Sequence, residues 1–111
     1  MEIRLIVHAL IVNRVNEILL IKRVSHAEMF PNLWDIPGGT LKDGEDPTNG
    51  VTREVREETG LSIDKLNLFT YTSDIDKEKD AQFIRLIFHS KTESEAITLN
   101  SNEHSEYIWM E

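Results

Sequence analysis

The sequence predicts an α+β fold in which one helix packs on a mixed β-sheet. Several segments rich in Ile, Leu and Val alternate with short polar stretches, as strands and turns do. One segment, at about 47–59, carries a helix start signal and a helix stop signal at its two ends. Since 111 residues suffice for one domain with one core, we expect a single domain over residues 1–111.

Two strands are expected at the N-terminus, EIRLIVHALIVNR and EILLIKRV. The polar residues between their apolar parts are typical of a hairpin turn. The following WDIP is expected to be short and extended, because a proline excludes the α region for the residue before it. The glycine-rich GGTLKDGED is then expected to form a tightly turning loop.

The helix is expected to run from Pro47 to Thr59. Asp46 is a favoured N-cap residue, and proline suits the first helical position. Gly60 is a plausible C′ residue. Three more strands are expected after the helix, LNLFTYTSDI, AQFIRLIFHSK and EYIWM.

Charge and composition exclude several classes of partner. The chain has 12 basic and 20 acidic residues, with a formal net charge of −8. Polymeric nucleic acid is an unlikely partner, because its binding depends on surplus basic charge, although a metal could mediate contact with a small anion such as a nucleotide. No apolar run is long enough to span a membrane. The absence of cysteine is compatible with the cytoplasmic location that we expect.

Three carboxylates crowd the end of the predicted helix. At about 100° per residue, Glu54, Glu57 and Glu58 share an arc of roughly 100°. They repel one another and lie near the negative pole of the helix dipole. Gly50 falls on the same stripe and would leave this site uncovered. A solvated face and a site for a hard divalent cation are both consistent with the pattern.

The surrounding sequence decides between these interpretations. Residues 39–61 read GTLKDGEDPTNGVTREVREETGL and resemble the Nudix box at the expected spacing. The fixed positions of the box are filled by Gly39, Glu45, Arg53, Glu54, Val55, Glu57, Glu58, Gly60 and Leu61. The preceding WDIPG and the closing EHSEYIWM extend a weaker resemblance to the Nudix hydrolase superfamily over the whole chain.

The resemblance implies an α/β/α sandwich around a mixed sheet, with the box forming loop, helix and loop. Family members usually continue into a second, C-terminal helix, which we expect to be missing here because the sequence ends two residues after Trp109. A homodimer partner or a truncated chain would explain that difference. The implied activity is hydrolysis of a nucleoside diphosphate linked to another moiety, assisted by Mg²⁺ or Mn²⁺.

The resemblance also implies roles for individual residues. Glu57 and Glu58 are expected to be metal ligands, and Glu54 either a ligand or the catalytic base. The carbonyl of Gly38 would complete the metal shell. Arg53 would orient the carboxylates and Glu45 would pair within the box, although a purely structural ion pair is an equal alternative. Val55 and Leu61 match apolar positions and are expected in the core.

Further candidate residues lie outside the box. Some relatives carry an extra carboxylate before the last strand, for which Glu103 is the first choice and Glu106 the second. A solvated loop glutamate is the alternative. Trp34 and Phe30 are candidates for a base pocket or for the core. The histidines show no metal-ligand spacing and are interpreted as strand or loop residues: His8, His26, His89 and His104.

The substrate is not determined by the box. The downstream DIDKEKD lacks the proline and the tyrosine that mark the ADP-ribose and dinucleoside-polyphosphate subgroups, and no coenzyme A signature is present. This absence favours a nucleoside triphosphate or a related small nucleotide. A non-catalytic Nudix-fold module and a simple cation-binding protein are the rival interpretations.

Overall fold

The computed structural model describes residues 1–111, which form seven strands and one helix. The helix, α1, and the strands occur in the following chain order: β1 (Glu2–Val12), β2 (Ile18–Arg23), β3 (Trp34–Asp35), β4 (Gly38–Thr40), α1 (Pro47–Thr59), β5 (Asn67–Asp76), β6 (Ala81–Lys91) and β7 (His104–Met110). The predicted combination of a sheet with a single helix is confirmed. At 13 residues, α1 is neither long nor apolar enough to cross a bilayer.

The sheet is mixed, as predicted, and β1 lies at its centre. β1 pairs in parallel with β6 along its whole length, and β5 pairs antiparallel with β6 at the edge. On its other side, β1 pairs with β4 and, at one position beside the turn, with β2. β2 in turn pairs antiparallel with β3 and β7. The sheet therefore holds β4, which precedes α1, next to its central strand.

The predicted hairpin between β1 and β2 is present. The side-chain oxygen of Asn13 accepts hydrogen bonds from the backbone N–H groups of Val15 and Glu17, at 3.1 and 2.8 Å. The strands are paired only at Val12 and Ile18, next to this turn. Farther from the turn, the free edge of β1 is available to another segment.

That free edge explains a strand that sequence analysis placed in a loop. Residues 38–40 form β4, with Thr40 opposite Ile6 and Gly38 opposite His8. A Cβ at Gly38 would collide with the backbone oxygen of Val7 and the ring of His8, so glycine permits the close approach. Two adjacent glycines have little strand propensity, and it is pairing with β1 that orders them.

The helix begins and ends where its capping residues predict. The carboxylate of Asp46 accepts hydrogen bonds from the backbone N–H groups of Thr48 and Asn49, and Pro47 opens the first turn. Gly60 adopts the left-handed conformation, with φ of 77°, and its N–H donates to the carbonyl of Arg56. Both ends of α1 are thus satisfied by local interactions.

The core lies between α1 and one face of the sheet. Val51 and Val55 are fully buried against this face, and Leu61 is nearly so, which confirms the core positions predicted for Val55 and Leu61. The other buried members of the cluster come mainly from β1, β2 and β6: Val7, Ala9, Ile11, Leu19, Ile21, Ile63 and Phe88. This packing holds the acidic side of α1 against β4.

Candidate active site

Arg53 joins the loop before α1 to the carboxylates of the helix. Its Nε and Nη2 donate to the two carboxylate oxygens of Glu45, at 2.8 and 2.9 Å. Its Nη1 donates to Glu54 at 2.9 Å and to Glu57 at 3.2 Å. The predicted ion pair is therefore present, and it is bidentate toward Glu45. One guanidinium partly compensates three carboxylates and orients two of them.

The charges of this network shift its protonation equilibria. Hydrogen bonding from Arg53 and from the backbone of Lys42 lowers the pKa of Glu45 to about 2. The same pairing with Glu45 raises the pKa of Arg53 above its usual value. Both side chains are about five-sixths buried and remain ionised at neutral pH.

Glu54 lies against the glycine turn of β4. A Cβ at Gly39 would lie 2.6 to 2.8 Å from the Glu54 carboxylate, so glycine at this position leaves room for the carboxylate. Burial raises the pKa of Glu54, against the opposing effect of the Arg53 hydrogen bond. Arg53 engages Oε1. Oε2 is left facing the turn.

Glu58 is the most buried of the helix carboxylates. It is only 5% exposed, and its Oε1 accepts a hydrogen bond from the Gly38 N–H at 2.9 Å. Burial is the main cause that raises its pKa to about 8, and the charges of Glu54 and Glu103 add to that effect. By contrast, Glu57 is about half exposed. The acidic face thus contains one buried, one partly buried and one solvated carboxylate.

The loop before β7 brings a fourth carboxylate to the site. A carboxylate oxygen of Glu103 lies within 4.8 Å of a carboxylate oxygen of Glu58 and of a ring nitrogen of His104. Glu106, the second choice from sequence, instead forms an ion pair with Lys22 at 3.2 Å. The structure therefore brings Glu103 to the helix carboxylates and pairs Glu106 elsewhere.

His104 is the residue that sequence reasoning missed at this site. It was interpreted as a strand or loop residue, and it does open β7, but its ring is buried beside Glu58 and Glu103. Its Nδ1 is buried and has no hydrogen-bond partner. Burial lowers its pKa, so the imidazole is neutral at neutral pH. No sequence spacing relates it to Glu58, because 45 residues separate the two positions.

The donor set formed by these residues fits a divalent cation. Glu54 lies against Gly39, Glu58 accepts from the Gly38 N–H, and a Glu103 oxygen lies within 4.8 Å of a Glu58 oxygen. Glu57 is connected to this group through the Arg53 guanidinium that it shares with Glu54. The buried ring of His104, whose Nδ1 has no hydrogen-bond partner, lies beside Glu58 and Glu103. Groups of this kind are costly when unpaired, and a cation would satisfy several at once.

Gly50 has a different role from the one expected. It is buried, and a Cβ there would collide with the end of the Leu41 side chain and lie 3.0 Å from Glu45 Oε1. The glycine therefore permits α1 to pack closely on the loop that follows β4. It does not act by leaving the metal site uncovered.

Two adjoining cavities lie near the box loop, and Glu45 is the only carboxylate of the candidate site that lines either of them. The larger, about 700 Å³, runs along β1 and β4 and reaches Glu45. The smaller, about 360 Å³, includes Phe30 and Arg85 in its walls. Both are bordered by Phe83, so the two cavities are neighbours. Their combined size suits a small organic ligand.

The two aromatic candidates are not core residues. Phe30 is 63% exposed and lines the smaller cavity, which agrees with the pocket interpretation. Trp34 is 39% exposed, and the Lys22 ammonium lies 5.9 Å from its ring centroid. The alternative that placed these side chains in the core is therefore wrong.

Comparison with known proteins identifies the family. A model described as the NUDIX domain matches residues 2–111, nearly the whole chain. The chain belongs to the Nudix hydrolase family. The implied fold is also observed among solved Nudix structures, since the MutT protein from Methanosarcina mazei Go1 superposes with a TM-score of 0.86. That structure is 29% identical, and the match covers 98% of this Nudix chain and 77% of the other.

Curated relatives show similar levels of identity. Nudix hydrolase 7 from Arabidopsis thaliana is 31% identical over 106 residues, which cover 92% of this Nudix chain and 37% of the relative. Nucleoside triphosphatase NudI from Salmonella heidelberg is 31% identical over 101 residues, which cover 83% of this Nudix chain and 71% of the relative. An uncharacterised Nudix hydrolase, lin0387 from Listeria innocua, is 39% identical over 67 residues, which cover 60% of this Nudix chain and 40% of the relative. The chain thus spans about two fifths of the length of two of these relatives.

Proposed function

We propose that this chain hydrolyses a phosphoanhydride bond in a small nucleotide, a nucleoside diphosphate linked to another moiety, with the help of a divalent metal. The observation that carries the proposal is the convergence of Glu54 and Glu58 on the Gly38–Gly39 turn, with Glu103 beside Glu58. Every glutamate of the box is present, and Arg53 holds three of them in a defined arrangement.

The proposed ligands of Mg²⁺ or Mn²⁺ are Glu57, Glu58, Glu103 and the carbonyl of Gly38. Glu54 is a further ligand if it is not the base. Oxygen donors of this kind suit both ions. When bound, such an ion neutralises phosphate charge and lowers the pKa of water.

Glu54 is the candidate for the catalytic base. Arg53 fixes Oε1, while Oε2 faces the glycine turn where the phosphates would lie. The pKa of this carboxylate is raised toward neutral pH, and a general base is most effective when its pKa lies near the working pH. We propose that Oε2 accepts a proton from the attacking water. A base at this position can act on water only if the carboxylate is held still, which the Arg53 hydrogen bond provides.

Arg53 is proposed as a positioning residue. It contacts Glu45 through two nitrogen atoms and Glu54 and Glu57 through a third, and Nη2 also donates to the Thr40 carbonyl, so its guanidinium is fully occupied by these partners. A direct contact with substrate would require one of these bonds to break. Its contribution is therefore to fix the angle of the carboxylates and the path of the loop that carries Glu45.

A nucleoside triphosphate is the proposed substrate class. The cavity pair, of about 700 and 360 Å³, has space for a nucleotide and reaches the box at Glu45. Its walls offer Phe30 and Phe83 for stacking and Arg85 and Lys79 for anionic or polar groups. The chain is 31% identical over 101 residues to a protein named nucleoside triphosphatase, which supports the same substrate class.

The test is turnover by metal-stripped protein. Ribo- and deoxyribonucleoside triphosphates, a nucleoside diphosphate sugar and a dinucleoside polyphosphate are each offered with EDTA, with Mg²⁺ and with Mn²⁺. We expect no hydrolysis in EDTA and hydrolysis of triphosphates with either metal. Undiminished turnover in EDTA would contradict metal dependence. Nucleotide binding without turnover under every condition would instead support the non-catalytic module.

A further inference from the structure

We propose that His104 adds a nitrogen ligand to the divalent-cation site, together with Glu58 and Glu103. The site would then prefer cations that accept imidazole, such as Mn²⁺ and Co²⁺, over Mg²⁺. The inference rests on the proposed function only in placing a cation among the carboxylates. It deepens that proposal by naming a ligand and a metal preference.

The first support is geometric. One ligand atom from each of Glu58, Glu103 and His104 can be chosen so that all three lie within 4.8 Å of one another. Ligands 2.0 to 2.3 Å from one ion are about 3 to 4.5 Å apart, so this spacing needs only small side-chain movements to close on a cation. Two residues come from the loop and start of β7, and the third comes from the helix.

The second support is an unpaired polar atom. His104 is only 5% exposed, and its Nδ1 is buried without a hydrogen-bond partner. Nearly all buried polar atoms in folded proteins have such a partner, and each exception requires an explanation. Glu58 beside it is equally buried. With Nδ1 as the ligand atom, a cation between them would give this nitrogen and the Glu58 carboxylate a common partner.

The backbone holds His104 and Glu103 firmly in this place. The N–H groups of both residues donate to the carbonyl of Asn100, at 2.9 and 3.0 Å. The carbonyl of Glu103 accepts from the Val24 N–H at 2.9 Å. The register between β2 and β7 shifts where His104 pairs with Arg23, because β7 carries one extra residue, Ser105, and such bulges redirect side chains near functional sites.

The ligand chemistry gives the metal preference. Mg²⁺ strongly favours oxygen donors and retains much of its water. Mn²⁺ and Co²⁺ bind oxygen donors and also accept imidazole, with affinities that rise along the Irving–Williams order. A site of two carboxylates and one imidazole therefore gains more from His104 with Co²⁺ or Mn²⁺ than with Mg²⁺.

Pulsed EPR of Mn²⁺ bound to the full chain tests this assignment directly. We expect a ¹⁴N coupling to Mn²⁺ that is replaced by a ¹⁵N signal when the histidines are ¹⁵N-labelled. His104→Gln should abolish the coupling. His8→Gln, His26→Gln and His89→Gln are matched controls that should keep it, and they identify His104 by elimination if His104→Gln does not fold.

Calorimetric titration measures the selectivity of the site among Mn²⁺, Co²⁺ and Mg²⁺. His104→Gln should weaken Mn²⁺ and Co²⁺ binding by about tenfold or more. Mg²⁺ binding should change much less, so the ratio of the two affinities is the diagnostic quantity. An equal loss for all three ions would mean that His104 acts by packing alone, and it would overturn the preference.

The outcomes separate this inference from the proposed function. Mn²⁺ that binds without any histidine nitrogen coupling would overturn the role of His104 and leave the metal-dependent hydrolase intact. A coupling that survives in His104→Gln would also overturn it, because another histidine would be the ligand. Failure of the wild-type chain to bind Mn²⁺ at all would overturn both.

Discussion

At the scale of single residues, Arg53 explains how the helix accepts so many carboxylates near its negative end. It donates to Glu45, Glu54 and Glu57, while Glu58 receives its hydrogen bond from Gly38 instead. The contact between Arg53 and Glu57 was predictable from the sequence, because the two residues lie one turn apart on the helix. The sequence could not predict the burial of Glu58, which depends on the distant β4 turn.

Replacing Glu58 by Gln should therefore leave the metal-free protein at least as stable. The folded-state pKa of Glu58, about 8, lies above its ordinary value of 4.5, so its favourable contribution is present below 4.5 and is lost as pH rises through 8. Glu58→Gln removes this loss, and its amide oxygen can still accept from Gly38. We expect a higher melting temperature than wild type at pH 9 in EDTA, and a flatter dependence on pH.

The measurement is a series of thermal melts in EDTA from pH 5 to pH 9. Glu93→Gln, an exposed glutamate outside the site, is the matched control and should follow the wild-type curve. A melting temperature clearly below wild type at every pH would mean that Glu58 is structural. The acidic face would then need an explanation other than metal binding.

Two residues show why part of the site was not predictable. His104 joins Glu58 only because β7 pairs with β2 and places the loop before it beside the helix. Gly50 was placed correctly on the helix but given the wrong role, because its contacts with Leu41 and Glu45 lie outside the helix. Helical periodicity describes one element at a time and contains no information about what another element brings to it.

At the scale of elements, α1 was predictable from both ends and β4 was not. The signals at Asp46, Pro47 and Gly60 are local, and local hydrogen bonds realise them. β4 has no local signal. It exists because the edge of β1 beyond the hairpin binds residues 38–40. This pairing, together with the Glu58 hydrogen bond to Gly38, fixes the turn that borders the site.

The packing of α1 on its preceding loop gives a prediction for Gly50→Ala. Helix propensity alone would stabilise the protein by about 1 kcal/mol. The new methyl group collides with Leu41 and crowds Glu45, whose other contacts to Arg53 limit its movement. Overpacking costs about 1–3 kcal/mol, so we expect a net decrease in the free energy of unfolding.

Urea unfolding at neutral pH measures the effect. The matched control is Asn49→Ala, one residue earlier at an exposed position of α1, where propensity acts without a collision. Asn49→Ala should be neutral or slightly stabilising. An increase in the free energy of unfolding for Gly50→Ala as large as that for the control would show that the close packing around Gly50 contributes nothing.

At the scale of the whole molecule, the outer edge of the sheet is unusually apolar. β5 pairs only with β6, and Leu68, Phe69, Tyr71 and Ile75 on this strand are each between 58% and 66% exposed. Exposed apolar patches and open strand edges favour association. We therefore expect the chain to associate, with a symmetric dimer as the simplest form.

Light scattering across a range of protein concentrations tests association. The apparent mass of wild type should rise with concentration, and Phe69→Lys with Tyr71→Lys should shift the protein toward monomer. Glu93→Lys, which changes the net charge by the same amount and sign at an exposed position outside β5 and β6, is a control for net charge. A stable monomer at high concentration that binds no hydrophobic dye would show that the exposed side chains need no cover.

The central claim is that the acidic face of α1 exists for metal-dependent hydrolysis. The most direct measurement compares kcat for nucleoside triphosphate hydrolysis by wild type, Glu57→Gln and Glu93→Gln at saturating Mn²⁺, after their metal-free melting temperatures have been compared. Glu57 is half exposed and contributes little to packing, so its replacement should not lower the melting temperature. We predict that Glu57→Gln loses kcat by orders of magnitude while Glu93→Gln matches wild type. Equal turnover in all three proteins would contradict the claim.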